Sequence, residues 1–288
     1  MKALLTLAFA LAITAASAQQ GPNRSSPPAL GPQPRLTLPA VQERKLANGL
    51  RVLLLEAHEV PLVQINLLFD AGSADDSTGQ FGIASFTAAM LDEGAGARSA
   101  LEIADAVEYL GAELGTSSSF DASAVRLNVP TRRLEQALPI MADVALRPTF
   151  PAAELERLRQ ERLTALIQTR DDPAGVAPPA FARVVYGATH RFGTSTIGTT
   201  ATLEAVTDEQ LRAFHAARYR PDNATLIVVG DVTPASVLPL LESAFGGWRA
   251  DRSPARAQLP AASPPAEREI TIVDIPGAEQ SQIRIGTV

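Results

Sequence analysis

Residues 45–56 read KLANGLRVLLLE. Asn48 and Gly49 separate two extended runs here, and an Asn-Gly pair in that position is the strongest short-range indication of a β-hairpin. A second apolar run, LVQINLLFDAG at 62–72, follows closely and predicts another strand. The folded part of the chain is therefore predicted to begin as a sheet built from hairpins.

Helix signals follow these strands. The run 76–78 (Asp-Ser-Thr) predicts the cap of a helix that extends to about Glu93, and Ser99 with Glu102 forms a capping box for the next helix. Further along, the pattern predicts a second hairpin over 114–130, helices over 131–146, 151–171, 207–220 and 233–246, and a buried strand over 224–231. Hairpins followed by helices, without strict alternation, predict an α+β fold whose antiparallel-rich sheet is covered by helices.

The first residues have the composition of an export signal. Lys2 precedes an apolar run over 3–15, and Ala16-Ser17-Ala18 closes it with small residues. A charged start, a short apolar core and an A-x-A ending are typical of a cleavable signal peptide, whereas a membrane span needs about 20 apolar residues. We predict a signal peptide at 1–18, cleavage after Ala18 and export, most simply to a bacterial periplasm.

Proline-rich stretches divide the rest of the chain. Residues 19–43 are predicted to be an extended tether, and residues 249–267 a linker of similar composition. The intervening 44–248 is predicted to form the main domain. Residues 268–288 contain the strand-like runs ITIVDI and QIRIGTV, which we interpret as the start of a second, truncated copy of the domain, since a lone strand does not bury itself.

Composition excludes several classes of function. The chain of 288 residues has a net charge of −6, and no run of Lys or Arg is present that would follow a phosphate backbone. Nucleic acid is therefore not an expected partner. Cysteine is absent, which excludes thiol catalysis, disulfides and cysteine-ligated metal.

Several motifs resemble one peptidase family. The hairpin 45–56, the segment 69–76 and GIASFTAAM at 82–90 occur in the order found in the inverzincins, the pitrilysin–insulinase peptidases and their mitochondrial processing relatives. The active-site helix of that family, G-[LI]-A-H-x-x-E-H-M, aligns without gaps on 82–90. Asp171-Asp172-Pro173, Tyr186-Gly187, Gly198, Thr202-Leu203 and Val229-Gly230-Asp231 also fall in family order. The resemblance covers about 44–285 and implies the fold of mitochondrial processing peptidase-like domains.

The catalytic residues of the family do not carry over. The resemblance places its first zinc histidine at Ser85, its general-base glutamate at Ala88 and its second histidine at Ala89. Its third ligand, a glutamate on the long helix, falls at Ala165 when counted from Asp171. Alanine has no lone pair, a neutral hydroxyl is a poor zinc ligand, and no base is left to activate water. We therefore expect no catalytic residue, metal ligand or cofactor-binding residue in this chain.

The resemblance implies a partner role. In two-subunit members of the family, the zinc-free half helps to close a chamber and binds substrate. The chain is accordingly interpreted as the non-catalytic partner of a homologous zinc-bearing peptidase subunit, with unfolded peptides as substrates, zinc only in that partner and no membrane span after signal cleavage.

Two alternatives stay open. The first is an independent binding or scaffold protein of the same fold. The second is an active zinc metalloendopeptidase with unrecognised ligands. For the second, the candidates are His58 and His190, predicted in loops, His215, predicted on a mixed helix surface, and the carboxylate pairs Glu93 with Glu102 and Glu154 with Glu161, which solvated helix faces also explain.

Overall fold

The computed structural model describes residues 31, 39–249, 254–256, 258–264 and 267–288. The chain divides into two units, Met1–Pro39 and Ala40–Val288. Of the first unit only Gly31 and Pro39 are described, so the predicted signal peptide at 1–18 lies outside the described residues. Every element named below belongs to the second unit.

A largely antiparallel sheet forms the centre of this unit. Its strands are β1 (Gln42–Lys45), β2 (Arg51–Glu56), β3 (Leu62–Phe69), β6 (Glu113–Ser118), β7 (Ser123–Pro130) and β8 (Ala224–Gly230), and the short β4 (Gly94–Ala95) and β5 (Arg98–Ser99) pair separately. The strand order is β1-β2-β8-β3-β7-β6. Strands β2 and β8 are parallel, and the other neighbours are antiparallel. The predicted α+β class with an antiparallel-rich sheet is confirmed.

Helices follow the strands and cover the sheet. They are α1 (Ile83–Ala89), α2 (Ala100–Tyr109), α3 (Leu134–Leu146), α4 (Ala152–Arg170), α5 (Pro173–Tyr186), α6 (Thr200–Ala205), α7 (Asp208–Arg218) and α8 (Pro234–Phe245). Helix α1 packs against β6, β7 and α7, and α3 packs against β7 and α8. In the described ranges, no helix has both the length and the apolar character needed to cross a membrane.

The first hairpin forms as predicted. Gly49 has a φ of +88°, a left-handed conformation that glycine adopts without steric cost, and the backbone N–H of Leu46 donates to the Leu50 carbonyl at 3.0 Å. The Asn48 amide donates to the Phe245 carbonyl at 2.9 Å. The turn is thus fixed both by its own backbone and by the end of α8.

The core follows the period-2 pattern of the strands. Alternate residues of β3 are buried because successive side chains point to opposite faces of a sheet. The same alternation occurs in β8. The buried set includes Val63, Ile65, Leu67 and Phe69 from β3 and Leu226 and Val228 from β8.

Two helix predictions are corrected by the structure. Helix α1 does not begin after 76–78 but at Ile83, because Gly82 has a φ of +103° and cannot belong to a right-handed helix. It also ends at Ala89, before the predicted end at Glu93. Helix α5 was not predicted at all, since it contains Pro178 and Pro179.

The ends of the second unit differ from the sequence-based expectations. Strand β1 begins at Gln42, two residues before the predicted domain start. The strand-like runs of 268–288 do not form strands, and among the described residues neither has a neighbouring strand to supply ladder hydrogen bonds. Their apolar side chains are exposed, Ile272 by 86% and Ile285 by 93%. The division into a main domain, a linker and a second copy stays a prediction.

The described parts of the predicted linker lie against the main domain. Arg256 Nη2 lies 3.2 Å from an Asp75 carboxylate oxygen, and Arg218 Nη1 donates to the Pro254 carbonyl at 3.0 Å. Further along, His190 Nε2 is 2.9 Å from the carbonyl oxygen of Pro260. This segment is therefore anchored at separate points, rather than extending freely.

Candidate functional site

The start of α1 is held by a carboxylate several residues upstream. Asp76 accepts hydrogen bonds from the backbone N–H of Gly82 at 2.7 Å and of Ala84 at 2.9 Å. The Ala84 N–H belongs to the first turn of α1, which has no intrahelical acceptor for it, and the Gly82 N–H directly precedes that turn. The predicted capping residue therefore caps the helix, although the helix begins seven residues beyond it.

Asp76 is in turn paired with a buried arginine. Arg191 Nη2 lies 3.0 Å from the carboxylate, and both side chains are almost fully buried. Arg191 also donates from Nε to the Ser73 carbonyl and lies over the rings of Phe81 and Phe120. Burial raises the pKa of Asp76 and lowers the pKa of Arg191, whereas the contact between them opposes both shifts. The ion pair thus favours the charged form of both side chains.

The four positions that the family resemblance assigns to catalytic groups lie on two helices. Ser85 and Ala89 are half-buried on α1, and Ala88 is buried there. Ala165 is exposed on α4. Together these side chains present one hydroxyl and three methyl groups.

An arginine that the sequence reasoning missed connects the two helices. Arg162, on α4, donates from Nη1 to Ser85 Oγ at 3.2 Å and from Nη2 to the Ser85 carbonyl at 2.9 Å. Its guanidinium carbon lies 4.6 Å from the centroid of the Phe86 ring. Burial lowers its pKa to about 10. Its position three residues before Ala165, hence on the same helix face, was the available signal in the sequence.

These residues do not fit a catalytic zinc ion. Such an ion needs three protein ligands with lone pairs at about 2.0–2.2 Å and an open position for water. Methyl groups supply no lone pairs, and the Arg162 guanidinium beside Ser85 repels a divalent cation. Elsewhere among the described residues, no group of three or more His, Asp or Glu side chains is placed to hold a metal.

The histidines considered as substitute ligands lie apart. His58 Nδ1 contacts Asp231 at 2.8 Å and Nε2 lies 3.4 Å from Glu56, and the hydrogen bond to Asp231 raises its pKa. His190 Nδ1 accepts from the backbone N–H of Phe192 at 3.1 Å. Each therefore has local partners of its own and is not directed towards α1.

His215 is half-buried on α7, whose residues range from buried to exposed. Its Nε2 donates to the Ala145 carbonyl at 2.9 Å, and its ring stacks on Tyr219 with centroids 4.7 Å apart. Burial lowers its pKa. The sequence did not reveal these contacts, since Ala145 lies 70 positions away from His215 in the chain.

The carboxylates considered as an acid/base pair have structural partners. Glu93, Glu154 and Glu161 all contact Arg157, the last at 3.5 Å. Glu102 accepts from the backbone N–H of Ser99 at 2.8 Å, which completes the predicted capping box. Each of these carboxylates thus has a partner of its own within the fold.

A sheet edge borders the site. Strand β6 pairs with β7 on one side and, in the part of the chain that is described, has no strand on its other side. Helix α1 packs against this strand. An edge strand offers unpaired backbone N–H and C=O groups, so a peptide in extended conformation can be added to it.

Comparison with known proteins identifies the family. The family model described as "Insulinase (Peptidase family M16)" matches residues 51–186, and the model described as "Peptidase M16 inactive domain" matches residues 205–287. Together the matches span about three quarters of the chain. The chain belongs to the insulinase family of peptidases, M16, and the resemblance seen in its sequence is confirmed.

The curated relatives are named as zinc proteases. The chain is similar to an uncharacterized zinc protease of Mycobacterium leprae, 28% identical over 201 residues, which are 70% of this chain and 45% of the relative. It is also similar to an uncharacterized zinc protease of Mycobacterium tuberculosis, 28% identical over 226 residues, 78% of this chain and 50% of the relative. The chain thus spans about half the length of the curated relatives it matches.

Solved structures support the fold. A crystal structure of a peptidase M16 inactive domain from Pseudomonas fluorescens superposes with a TM-score of 0.72 at 29% identity, covering 78% of this chain and 54% of that one. The periplasmic protease PqqL of Escherichia coli superposes with a TM-score of 0.70 at 24% identity, over 78% of this chain and 25% of that one. The second similarity concerns the fold alone.

Proposed function

We propose that the chain is a non-catalytic member of the M16 family that acts as the chamber-closing, substrate-binding partner of a homologous zinc-bearing subunit. One observation carries this proposal. The place where the family resemblance puts a divalent cation has no ligand set, and the cationic side chain of Arg162 is hydrogen-bonded to Ser85 there. A metal and a guanidinium in this position would repel each other.

Substrate binding is supported by the sheet edge at β6. Peptide backbone is recognised in extended form by unpaired strand edges, independently of catalysis. Helix α1, which carries Ser85, packs against β6, so we place the bound peptide next to this helix. The chain can therefore hold a peptide at this place without cleaving it.

Export is part of the same proposal. The composition of residues 1–18 indicates a signal peptide, and PqqL, whose fold is similar, is a periplasmic protease. A partner subunit would have to be exported to the same compartment. We propose the periplasm as the place of action.

A reconstitution experiment tests the partner role. The purified chain is mixed with a homologous subunit that carries an intact H-x-x-E-H motif, and cleavage of an unfolded peptide is measured for each alone and for the mixture. The proposal predicts a stable complex and activity well above that of either component. As a control, replacing the motif glutamate of the zinc-bearing subunit by glutamine is expected to abolish that activity.

The alternatives give different results in the same assay. A scaffold protein of this fold would form a complex without added proteolysis. An active peptidase would cleave the peptide alone, and a chelator would stop it. Either result would contradict the proposed function.

A further inference from the structure

Arg162 has donors left over. Among the described residues it makes hydrogen bonds only to Ser85, one to the hydroxyl and one to the carbonyl. A guanidinium carries more N–H groups than these two contacts use. Both acceptors are neutral, so neither balances the charge.

Arg191, whose guanidinium is also desolvated, has a carboxylate partner that Arg162 lacks. Burial lowers the pKa of both Arg191 and Arg162, but Arg191 has Asp76 at 3.0 Å. The carboxylate that acts on Arg162 is its neighbour Glu161, whose side chain is 68% exposed and contacts Arg157. Within the described ranges, Arg162 thus has no carboxylate in contact with it.

A purely structural role explains this arrangement poorly. A partly buried charge without a counter-ion costs stability, and an apolar side chain of similar length would pack on Phe86 without that cost. Functional sites are where such costs are retained, because the group is needed for a ligand. The geometry therefore suggests that the counter-ion arrives from outside the chain.

Space for such a ligand is available beside the guanidinium. The neighbouring positions carry small side chains: Ser85 and Ala89 are half-buried on α1, and Ala165 is exposed one turn along α4. In the family resemblance these are the positions of bulky metal ligands. The surface formed by Ser85, Ala89 and Ala165, which we call the shelf, is exposed to solvent at Ala165.

We propose that Arg162 and Ser85 bind a carboxylate of the peptide that the chain holds, so that the site is inverted in charge relative to a metal site. The inference rests on the proposed substrate-binding function and adds the chemistry that is recognised. Guanidinium and carboxylate form paired, charge-assisted hydrogen bonds, and a serine hydroxyl can donate a further one. The carboxylate is either the free C-terminus of the peptide or an Asp or Glu side chain.

Peptide binding with matched acids and amides tests this inference. A short unstructured peptide without acidic side chains is prepared with a C-terminal carboxylate and with a C-terminal carboxamide. A second pair is amidated and differs by one internal Glu or Gln. Binding to the full chain is measured by fluorescence anisotropy at low ionic strength, for the wild type, Arg162→Gln, Arg162→Lys and the control Arg170→Gln. Arg170 is exposed on the same helix, so its replacement removes an equal charge away from the shelf.

The expected result is a preference for acid over amide of roughly tenfold in at least one pair. The pair that shows it identifies the source of the carboxylate. Arg162→Gln is expected to abolish the preference, Arg170→Gln to retain it, and Arg162→Lys to keep part of it, since lysine retains the charge without the forked geometry. Thermal unfolding shows whether each variant is folded. If Arg162→Gln does not fold, the reduced preference of Arg162→Lys is used as the test instead.

The outcomes separate this inference from the proposed function. If peptides bind but acids and amides bind equally, or if Arg162→Gln keeps the preference, the carboxylate site is wrong while substrate binding stands. If no peptide binds to the chain, alone or with its zinc-bearing partner, both proposals are contradicted.

Discussion

His215 is a histidine whose surroundings favour its neutral form. It lies on α7, donates from Nε2 to the Ala145 carbonyl at 2.9 Å and stacks on Tyr219. Burial lowers its pKa, since a charged imidazolium would lose its hydration. Protonation therefore opposes folding at this residue.

We expect the chain to lose stability through His215 as the pH falls below about 6.5, the ordinary pKa of histidine. The pKa of the folded state is lower than that of the unfolded state, so the stabilisation is complete above the unfolded pKa and is lost as the pH falls from there through the folded pKa. Urea unfolding at a series of pH values compares the wild type with His215→Gln, which cannot be protonated. The stability advantage of the wild type should shrink towards acid, and a constant advantage would show that His215 does not titrate in this way.

Half-buried Arg162 and buried Arg191 are predicted to respond differently to the same substitution. Arg162→Met removes a charge without a counter-ion, so we expect the free energy of unfolding to stay within about 1 kcal/mol of the wild type or to rise. Arg191→Met leaves the Asp76 carboxylate buried and unpaired, and we expect a loss of roughly 3 kcal/mol or more. Denaturant unfolding measures both.

A large loss of stability in Arg162→Met would indicate that Arg162 mainly holds α1 and α4 together. The missing counter-ion of Arg162 would then no longer indicate a ligand. Equal losses in the free energy of unfolding for Arg162→Met and Arg191→Met would likewise indicate a structural role for Arg162.

Among single residues, positions within one helix could be assigned from the sequence, whereas contacts between helices could not. The gapless alignment of 82–90 placed Ser85, Ala88 and Ala89, because the spacing on one helix is fixed by its geometry. Arg162 was not recognised, since its contact with Ser85 joins residues 77 positions apart in the chain. The assignment of Ala165 to the third ligand position stays a prediction.

At the scale of elements, the approach to α1 depends on Gly82. Its φ is +103°, and a Cβ there would lie 2.6 Å from the Ile197 carbonyl oxygen. Both the left-handed backbone and the close approach exclude larger residues. The segment before α1 is thereby fixed against the loop that contains Ile197.

We predict that Gly82→Ala destabilises the chain by about 3 kcal/mol or more, because left-handed strain and a steric clash with backbone combine. Gly79→Ala is the matched control: its φ is +85°, but nothing lies within 4 Å of the added Cβ. There the cost is expected to be about 1 kcal/mol, from strain alone. Thermal unfolding of the two variants gives the comparison, and equal losses would contradict the role of the contact with Ile197.

Most elements were predicted because their signals are local. The Asn48-Gly49 turn, the Ser99 capping box and the Thr207 cap each depend on residues within a few positions of one another, and all three are formed. One failure concerns proline. Helix α5 forms and packs against α4 although it contains Pro178 and Pro179, residues that usually break a helix interior.

At the scale of the whole molecule, the fold class could be predicted from the sequence. The heterodimer with a zinc-bearing subunit stays a prediction. Strand alternation and turn residues dictate an antiparallel-rich sheet, and both were visible in the sequence. The contacts of the region 254–264 with Asp75 and His190 were not, because proline-rich composition alone indicates an extended tether. The proposed heterodimer depends on surfaces that a partner would cover.

Export is a prediction about the whole chain. Expression in a Gram-negative host followed by mass spectrometry of the periplasmic fraction should give a mature chain that begins at Gln19, because Ala16-Ser17-Ala18 provides the small residues that the signal peptidase requires. Replacing Ala18 by a bulky residue is expected to block processing. A chain recovered intact in the cytoplasm would contradict the prediction.

The central claim is that the cationic side chain of Arg162 lies where the family resemblance puts a metal ion. The zinc stoichiometry of the chain tests this claim most directly. The purified mature chain is incubated with equimolar Zn²⁺, desalted and analysed by inductively coupled plasma mass spectrometry, beside a zinc-bearing homologue treated identically. We predict far less than one zinc per chain, because a hydroxyl, three methyl groups and the Arg162 guanidinium supply neither ligands nor a favourable potential. About one zinc per chain, lost on Ser85→Ala, would contradict the account.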